Sequence, residues 1–308
     1  MQSDPGVSAS AMSPTSEFFT MRLLGGLGNQ MFQFAAGYSL SRTHHKRLVL
    51  DTAIYSKNKL RKLELENFSL PNDIEIAEVK PEAIGSRTNV FRKVLSSLGS
   101  SKMMIYKEKS HCFDCGFFDL AAPAYIKGYF QSPLYFENYR NELREILRPK
   151  AQLSSSNQSY VGAIEQSKVS ISVHIRRGDY AATPDNMSAH GVLDQNYYDA
   201  AFDLMKNLYG KNINWFIFTD DPVWVKGTFQ ALENAQAVVG NDDSPWEDLW
   251  LMSKCDHNII ANSTFSWWGA WLNTSKGKTV IAPRHWFGRE KHKKTPTFDM
   301  FPNGWITL

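Results

Sequence analysis

Two arginines stand side by side at the end of an apolar run, in Val173-His174-Ile175-Arg176-Arg177-Gly178-Asp179-Tyr180. A pair of guanidinium groups is expensive to bury without a purpose. Strand alternation puts His174 and Arg176 on one face and Arg177 on the other, so Arg176 is the better placed to reach a cleft. A fixed guanidinium binds a diphosphate bidentately and stabilises the charge that grows on it as a bond to it breaks. The bland alternative pairs Arg176 or Arg177 with Asp179 and leaves His174 as a satisfied core histidine.

Two further clusters carry donors. Gly25-Gly26-Leu27-Gly28-Asn29-Gln30 lies between a strand pattern and a helix pattern. There it is a plain tight turn, a phosphate cradle at a helix N-terminus, or a dinucleotide loop. The dinucleotide reading gains Asp51 at the expected distance and loses the third glycine, where Met31 stands. Asn262-Ser263-Thr264-Phe265-Ser266-Trp267-Trp268-Gly269-Ala270-Trp271 opens another helix. Its hydroxyls either cap that helix or join its free N–H groups around a phosphate. Trp267 and Trp271 share a helical face and read as core. Asp248, in the first turn of a helix opened by Trp246-Glu247, suits the helix dipole or could accept from a guanine edge. Asp220-Asp221 precedes Pro222 and reads as a cap. Cys112-x-x-Cys115 with His111 is a weak zinc or redox signal, and Asp-x-Asp, a usual holder of divalent cations on sugar diphosphates, occurs nowhere.

Something must position these groups. Residues 1–20, rich in Ser, Pro, Thr and Gly, read as a disordered extension. A βαβ opening follows: strand Met21–Leu24, turn Gly25–Gly28, helix Met31–Ser41 and strand Arg47–Leu50. The stretch from Thr52 to Ala122 gives no clear pattern. Tyr125–Phe130 reads as a strand and Phe136–Leu147 as a helix. Ala151–Ser159, with four serines and two glutamines, has the composition of a linker, and the lobe boundary is placed there. Beyond it, strands Val169–Ile175, Trp215–Thr219, Asn258–Ile260 and Thr279–Ala282 alternate with helices Asn196–Leu208, Trp246–Lys254 and Phe265–Leu272. This is the pattern of a parallel sheet covered by helices on both faces. Ligands bind such sheets beyond the carboxyl ends of the strands, where the clusters above fall.

With 308 residues, the chain can bury two medium cores flanking a cleft. A net charge of +3 is far from the dense positive field of a nucleic-acid binder and suits a small anionic ligand. Three cysteines make no disulfide framework, and no run is long and apolar enough to span a membrane. The expectation is a cytoplasmic protein, at most peripheral to a membrane.

In order, GGLGNQMFQFAAGYSLSR, YIKGYFQSPLYFENYR, ISVHIRRGDY, FIFTDD and NSTFSWWGAWLN resemble motifs of the family 11 glycosyltransferases, the α-1,2-fucosyltransferases of bacterial type. The likeness spans Met21 to Pro283. It implies a GT-B-like α/β fold of two Rossmann-like lobes with mainly parallel sheets and a cleft between them. Residues 21–158 would form the acceptor-side lobe and 159–308 the GDP-fucose lobe. It also implies inverting, metal-independent transfer of L-fucose from GDP-fucose to the 2-hydroxyl of a terminal β-galactoside, in surface-polysaccharide synthesis, with no cofactor and no nucleic-acid partner. By the same resemblance Arg176 contacts the diphosphate, and His174 and Asp248 are similar to guanine-recognising positions. Ser263, Thr264, Phe265 and Ser266 look like the phosphate and fucose loop, with Gly26 and Gly28 of the turn as further donor-binding positions. Asn29 resembles a cleft asparagine beside the reacting centre, and Asp179 is the nominee for general base. Lys80 to Leu120, including the Cys pair, matches no pattern of the family. The rival readings are an NAD-dependent oxidoreductase using the glycine turn with Asp51, and an inactive sugar-binding protein.

Overall fold

The computed structural model describes residues 18–57, 61–79, 103–181 and 183–308, and its named strands form two separate parallel sheets. The first contains β1 (Phe18–Arg22), β2 (Arg47–Asp51), β3 (Ile74–Ala77), β4 (Met104–Lys107) and β5 (Ala124–Lys127), in the order β3-β2-β1-β5-β4. Helix α1 (Leu27–Thr43) crosses from β1 to β2. Phe19, Thr20 and Met21 are all buried, as befits the middle strand of a sheet covered on both faces. The disordered extension read over residues 1–20 therefore does not hold for Phe18–Thr20, which build that central strand. The Ser/Pro-rich composition on its N-terminal side hides a short apolar run.

From β5 the chain passes through two 3-10 turns into α2 (Arg140–Ile146), then α3 (Ser155–Gln166). The expected linker is thus largely helical. Ser154 caps α3, its Oγ accepting from Asn157 N at 3.4 Å, and Ile164 packs with Phe216, Phe218 and Leu251 of the second lobe. A boundary at residue 158 would cut through this helix.

The second sheet runs β11-β10-β9-β6-β7-β8, from β6 (Ser170–Ile175), β7 (Asn214–Thr219), β8 (Ala235–Ala237), β9 (His257–Ile259), β10 (Val280–Ala282) and β11 (Ile306–Thr307). Short helices α4 (Gly178–Ala181) and α5 (Pro184–His190) follow β6, and α6 (Gln195–Tyr209) leads to β7. Helix α7 (Pro222–Thr228) follows β7, α8 (Pro245–Lys254) follows β8, α9 (Thr264–Leu272) follows β9, and α10 (Arg289–Lys294) follows β10. The expected strand–helix alternation is the one found. On one face Ile171, Val173 and Ile175 of β6 meet Tyr198, Phe202 and Met205 of α6. The opposite face looks toward α8 and α9, where Ser172 Oγ accepts from Asn258 Nδ2 at 2.6 Å.

Helix α9 joins the lobes. Every residue from Ser266 to Leu272 is buried, because a helix that is apolar all round must be covered on every side. Phe32 of α1 lies 4.5 Å from Trp267 and 5.1 Å from Trp268, centroid to centroid, and Phe136 stacks on Trp268 at 5.3 Å. Trp267 and Trp271 are stacked core residues, as their spacing predicts. Such aromatic pairs add about 0.5–1.5 kcal/mol each beyond the area they bury.

Candidate active site

The glycine turn is shorter than its sequence suggests. Helix α1 begins at Leu27, four residues before the expected start, with Gly26 as its N-cap and Gly25 at φ +84°. Gly28, Asn29 and Gln30 therefore form the first helical turn. Gly28 is explained by contact: a Cβ there would lie 2.4 Å from the carbonyl carbon of Thr264 and 2.6 Å from Phe265 N. The N-termini of α1 and α9 thus touch, backbone to backbone, across the two lobes. The missing Cβ of Gly28 is what lets α9 come this close. Gly26 stays at the mouth of the turn, 3.8 Å from the Arg61 guanidinium if it carried a Cβ. No motif marks Arg61.

Two glutamines fix this turn, and sequence reasoning missed both. Gln30 donates from Nε2 to the carbonyls of Gly25 (3.1 Å) and Lys62 (2.8 Å), while its Oε1 accepts from Glu64 N at 2.8 Å. Gln33 donates to Gly128 O at 3.0 Å and accepts from Leu24 N at 2.9 Å. Fully buried amides must find such partners, and here each spends both ends on backbone. Asn29, half-buried beside them, accepts at Oδ1 from Gln131 Nε2 at 2.9 Å.

In the second sheet, β6 ends at Ile175 and Arg176 follows. Arg176 Nη1 lies 2.9 Å from Asp220 Oδ2, with the guanidinium 5.5 Å from the Tyr180 ring centroid. Arg177 goes to the other side, over Trp224 at 4.2 Å and 3.4 Å from Asp221. The arginines thus diverge as alternation requires, each steadied by one of the paired aspartates after β7. Asp221 also caps α7 as expected, accepting from Trp224 N at 3.0 Å. Asp220 accepts from Arg177 N and Gly178 N, so it holds the loop that carries Arg176. The Asp179 side chain lies outside the described residues.

His174 is buried against Phe265, ring centroids 5.7 Å apart, and its Nδ1 has no hydrogen-bond partner among the described residues. Burial, reinforced by the Arg176 charge, pushes its pKa well below the usual histidine range, so the ring is neutral. Ser263 caps α9, its Oγ accepting from Phe265 N at 3.4 Å, and Ser266 Oγ donates to Ser263 O at 3.3 Å. Thr264 and Phe265 are half-buried and face Gly28. The capping reading holds for Ser263, and nothing in this cap conflicts with a ligand loop at the same helix end.

Asp248 is half-buried, and Asn241 Nδ2 donates to its Oδ1 at 2.5 Å. Burial raises its pKa to about 6, with Asp242 and Glu247 adding like charge. Beside it Glu247 Oε2 accepts from Ser154 N at 2.8 Å and Asn157 Nδ2 at 2.7 Å, and Asn157 Nδ2 reaches Asn241 Oδ1 at 2.7 Å. This buried network, and not the helix dipole alone, accounts for both carboxylates at the start of α8.

Other expectations end elsewhere. Asp51 is buried, accepting from Ala53 N and Val79 N at 3.0 Å each and from the Tyr125 hydroxyl, so no oxygen faces a ribose. The oxidoreductase reading loses its acidic residue. Cys112 donates through sulfur to Pro296 O, with burial pushing its thiol up to about 11, while Cys115 is exposed. A buried thiol of that kind is neither a ready metal ligand nor a redox nucleophile. Among the described residues no three His, Cys, Asp or Glu side chains gather as a metal site, and no helix is long and apolar enough to cross a membrane.

The profile of Glycosyl transferase family 11 matches residues 6–308, taking in the glycine turn, both arginines and the α9 loop. The chain belongs to this family. It is 34% identical to the O-antigen biosynthesis glycosyltransferase WbnK of Escherichia coli, over 93% of this chain and 99% of that protein. It is 33% identical to an alpha-1,2-colitosyltransferase of Escherichia coli, over 93% of this chain and 97% of that one. It is 23% identical to galactoside 2-alpha-L-fucosyltransferase Sec1 of Mus musculus, over 87% and 67% respectively. Family 11 membership replaces the oxidoreductase reading. The chain is a glycosyltransferase of the α-1,2-fucosyltransferase family, an α/β protein with two parallel sheets.

Proposed function

We propose that the enzyme transfers L-fucose from GDP-fucose to the 2-hydroxyl of a terminal β-galactoside, with inversion and without a metal ion, in the assembly of a surface polysaccharide. One observation carries this reading. The N-termini of α1 and α9 meet at Gly28 and Phe265, the Phe265 ring packs on His174, whose Nδ1 has no partner among the described residues, and Arg176 follows two residues later, just past the carboxyl end of β6. Arg176, oriented by Asp220, receives the diphosphate and neutralises charge as the fucose bond breaks. N–H groups of Ser263–Ser266 and Gly26 add fixed dipoles. His174, as a neutral donor or acceptor, and Asp248, as an acceptor, read the guanine. Asn29 reaches the reacting centre from the other lobe, the acceptor hydroxyl attacks the face opposite GDP, and Asp179 is the nominee to take its proton.

A second donor has specific support in the colitosyltransferase relative: colitose is fucose lacking the 3-hydroxyl, so the same diphosphate grip serves either sugar. The test is incubation with GDP-fucose or GDP-colitose and a panel of β-galactosides including lactose, with linkage analysis of the product. Transfer of fucose to the 2-hydroxyl, lost in a folded Arg176→Ala enzyme, is the expected result. Wild-type turnover in that variant removes the central assignment. GDP binding without any transfer would favour the inactive sugar-binding reading.

A further inference from the structure

Asn29 is held by a support that begins far from it in sequence. Its partner Gln131 is only 6% exposed and follows Phe130, a residue with a Cβ held at φ +54°. That left-handed conformation is disfavoured for any residue but glycine and persists only where its surroundings impose it. The Phe130 ring is pinned between Phe117 and Tyr135, with centroids 5.2 Å from each. Its backbone is pinned by Glu108, which follows β4: Oε2 accepts from Tyr129 N at 2.7 Å and Oε1 from Phe130 N at 2.9 Å. Gly128 makes the approach possible, since a Cβ there would stand 2.5 Å from Glu108 Cβ. The Gly128 carbonyl is the one that receives Gln33 of α1.

We propose that Glu108 is a positioning residue for the transfer reaction: by holding the left-handed turn at Tyr129–Phe130, it sets Gln131, and Gln131 aims the Asn29 amide into the cleft. A carboxylate is required because both of its oxygens accept, whereas an amide offers one acceptor and turns a donor against the second N–H. No motif in the sequence marks Glu108. The proposal rests on the assignment of Asn29 to the reacting centre.

The test is steady-state kinetics on Glu108→Gln, Gln131→Ala, their double variant and Asn29→Ala, each checked for folding by calorimetric GDP binding. Glu108→Gln should lower kcat roughly 10- to 100-fold, the loss expected of a misplacement near 1 Å. KM for GDP-fucose should stay within about twofold, because the proposed nucleotide contacts lie in the other lobe and, at Gly26, away from the Tyr129–Phe130 turn. In the Gln131→Ala background Glu108→Gln should cost nothing further, since both act through one contact. Full additivity would overturn the proposal by giving Glu108 a role of its own, as would an unchanged kcat in Glu108→Gln. Should Glu108→Gln not fold, Glu108→Asp serves in the same cycle, keeping the charge while shortening the reach, with the same outcomes. Wild-type turnover in Asn29→Ala would sink the Asn29 assignment instead. A slow Asn29→Ala beside a fully active Glu108→Gln would sink the positioning role alone.

Discussion

Replacing Gly28 with alanine inserts one methyl group between two backbones. The new Cβ would stand 2.4 Å from the Thr264 carbonyl carbon and 2.6 Å from both Phe265 N and Thr264 O. Carbon atoms pack at roughly 3.5 Å or more, so α1 and α9 must separate by about 1 Å. No side chain can swing aside, because all three obstructing atoms belong to the main chain. Overpacking of this kind costs about 1–3 kcal/mol, against roughly 0.5–1 kcal/mol gained from alanine in a helix. The net loss of about 0–2.5 kcal/mol lowers Tm by no more than roughly 4 °C in a chain of this size. The larger effect should fall on turnover, since the displaced helix ends carry Asn29 on one side and Ser263–Ser266 on the other. A shift near 1 Å at reacting groups costs on the order of 100-fold in kcat. Gly162→Ala in α3 is the control: nothing lies within 4 Å of its Cβ position, so that variant should gain stability and keep full activity. Differential scanning calorimetry and a fucosyl-transfer assay on both variants make the comparison. If Gly28→Ala matched wild type in Tm and kcat, the contact between helix ends would not organise the site.

Three more outcomes are expected. GDP affinity, measured by calorimetry, should be constant above about pH 7 and weaken as pH falls through about 6, where Asp248 takes a proton and loses its capacity to accept from guanine; Asp248→Asn should flatten that profile. In the same group the sign for folding is opposite: its raised folded pKa favours the protonated form, so its contribution to stability is full below the unfolded carboxyl pKa and lost as pH rises through about 6. Glu247→Ala should lower unfolding stability by about 2–4 kcal/mol in urea titrations, because it strands the buried Asn157 amide and Ser154 N–H. Transfer should proceed at full rate in excess EDTA, and a strict requirement for Mn²⁺ would count against a leaving group stabilised by Arg176 and backbone N–H groups.

The second lobe was legible because its signals are local. Buried strands stand out as short apolar runs, Asp221 and Ser263 sit where caps belong, and alternation alone sends Arg176 and Arg177 apart. The first lobe hides its logic in long-range bonds. Gln30 and Gln33 look like ordinary helix residues until their partners at Lys62, Glu64 and Gly128 are known. Serine-rich composition disguised α3 as a linker, since only the Asn157–Glu247 bond, 90 residues apart, shows why a polar helix is anchored there. Gly28 stands out in the sequence for its missing Cβ, but only the fold shows that the α9 backbone lies where that Cβ would be. Asp51 satisfied a spacing rule for a nucleotide ligand while its oxygens were already committed to Val79 and Tyr125.

The aromatic wedge of Phe32, Phe136, Trp267 and Trp268 has a bearing on turnover as well as on folding. Two-lobed enzymes often admit and release substrates by swinging one half against the other. Here any large rotation would prise Phe32 from the indole rings and expose them to water, with the main chains of α1 and α9 already in contact at the pivot. Parting the two halves thus costs the burial of these rings, and the contact of α1 with α9 ties the two sheets to each other.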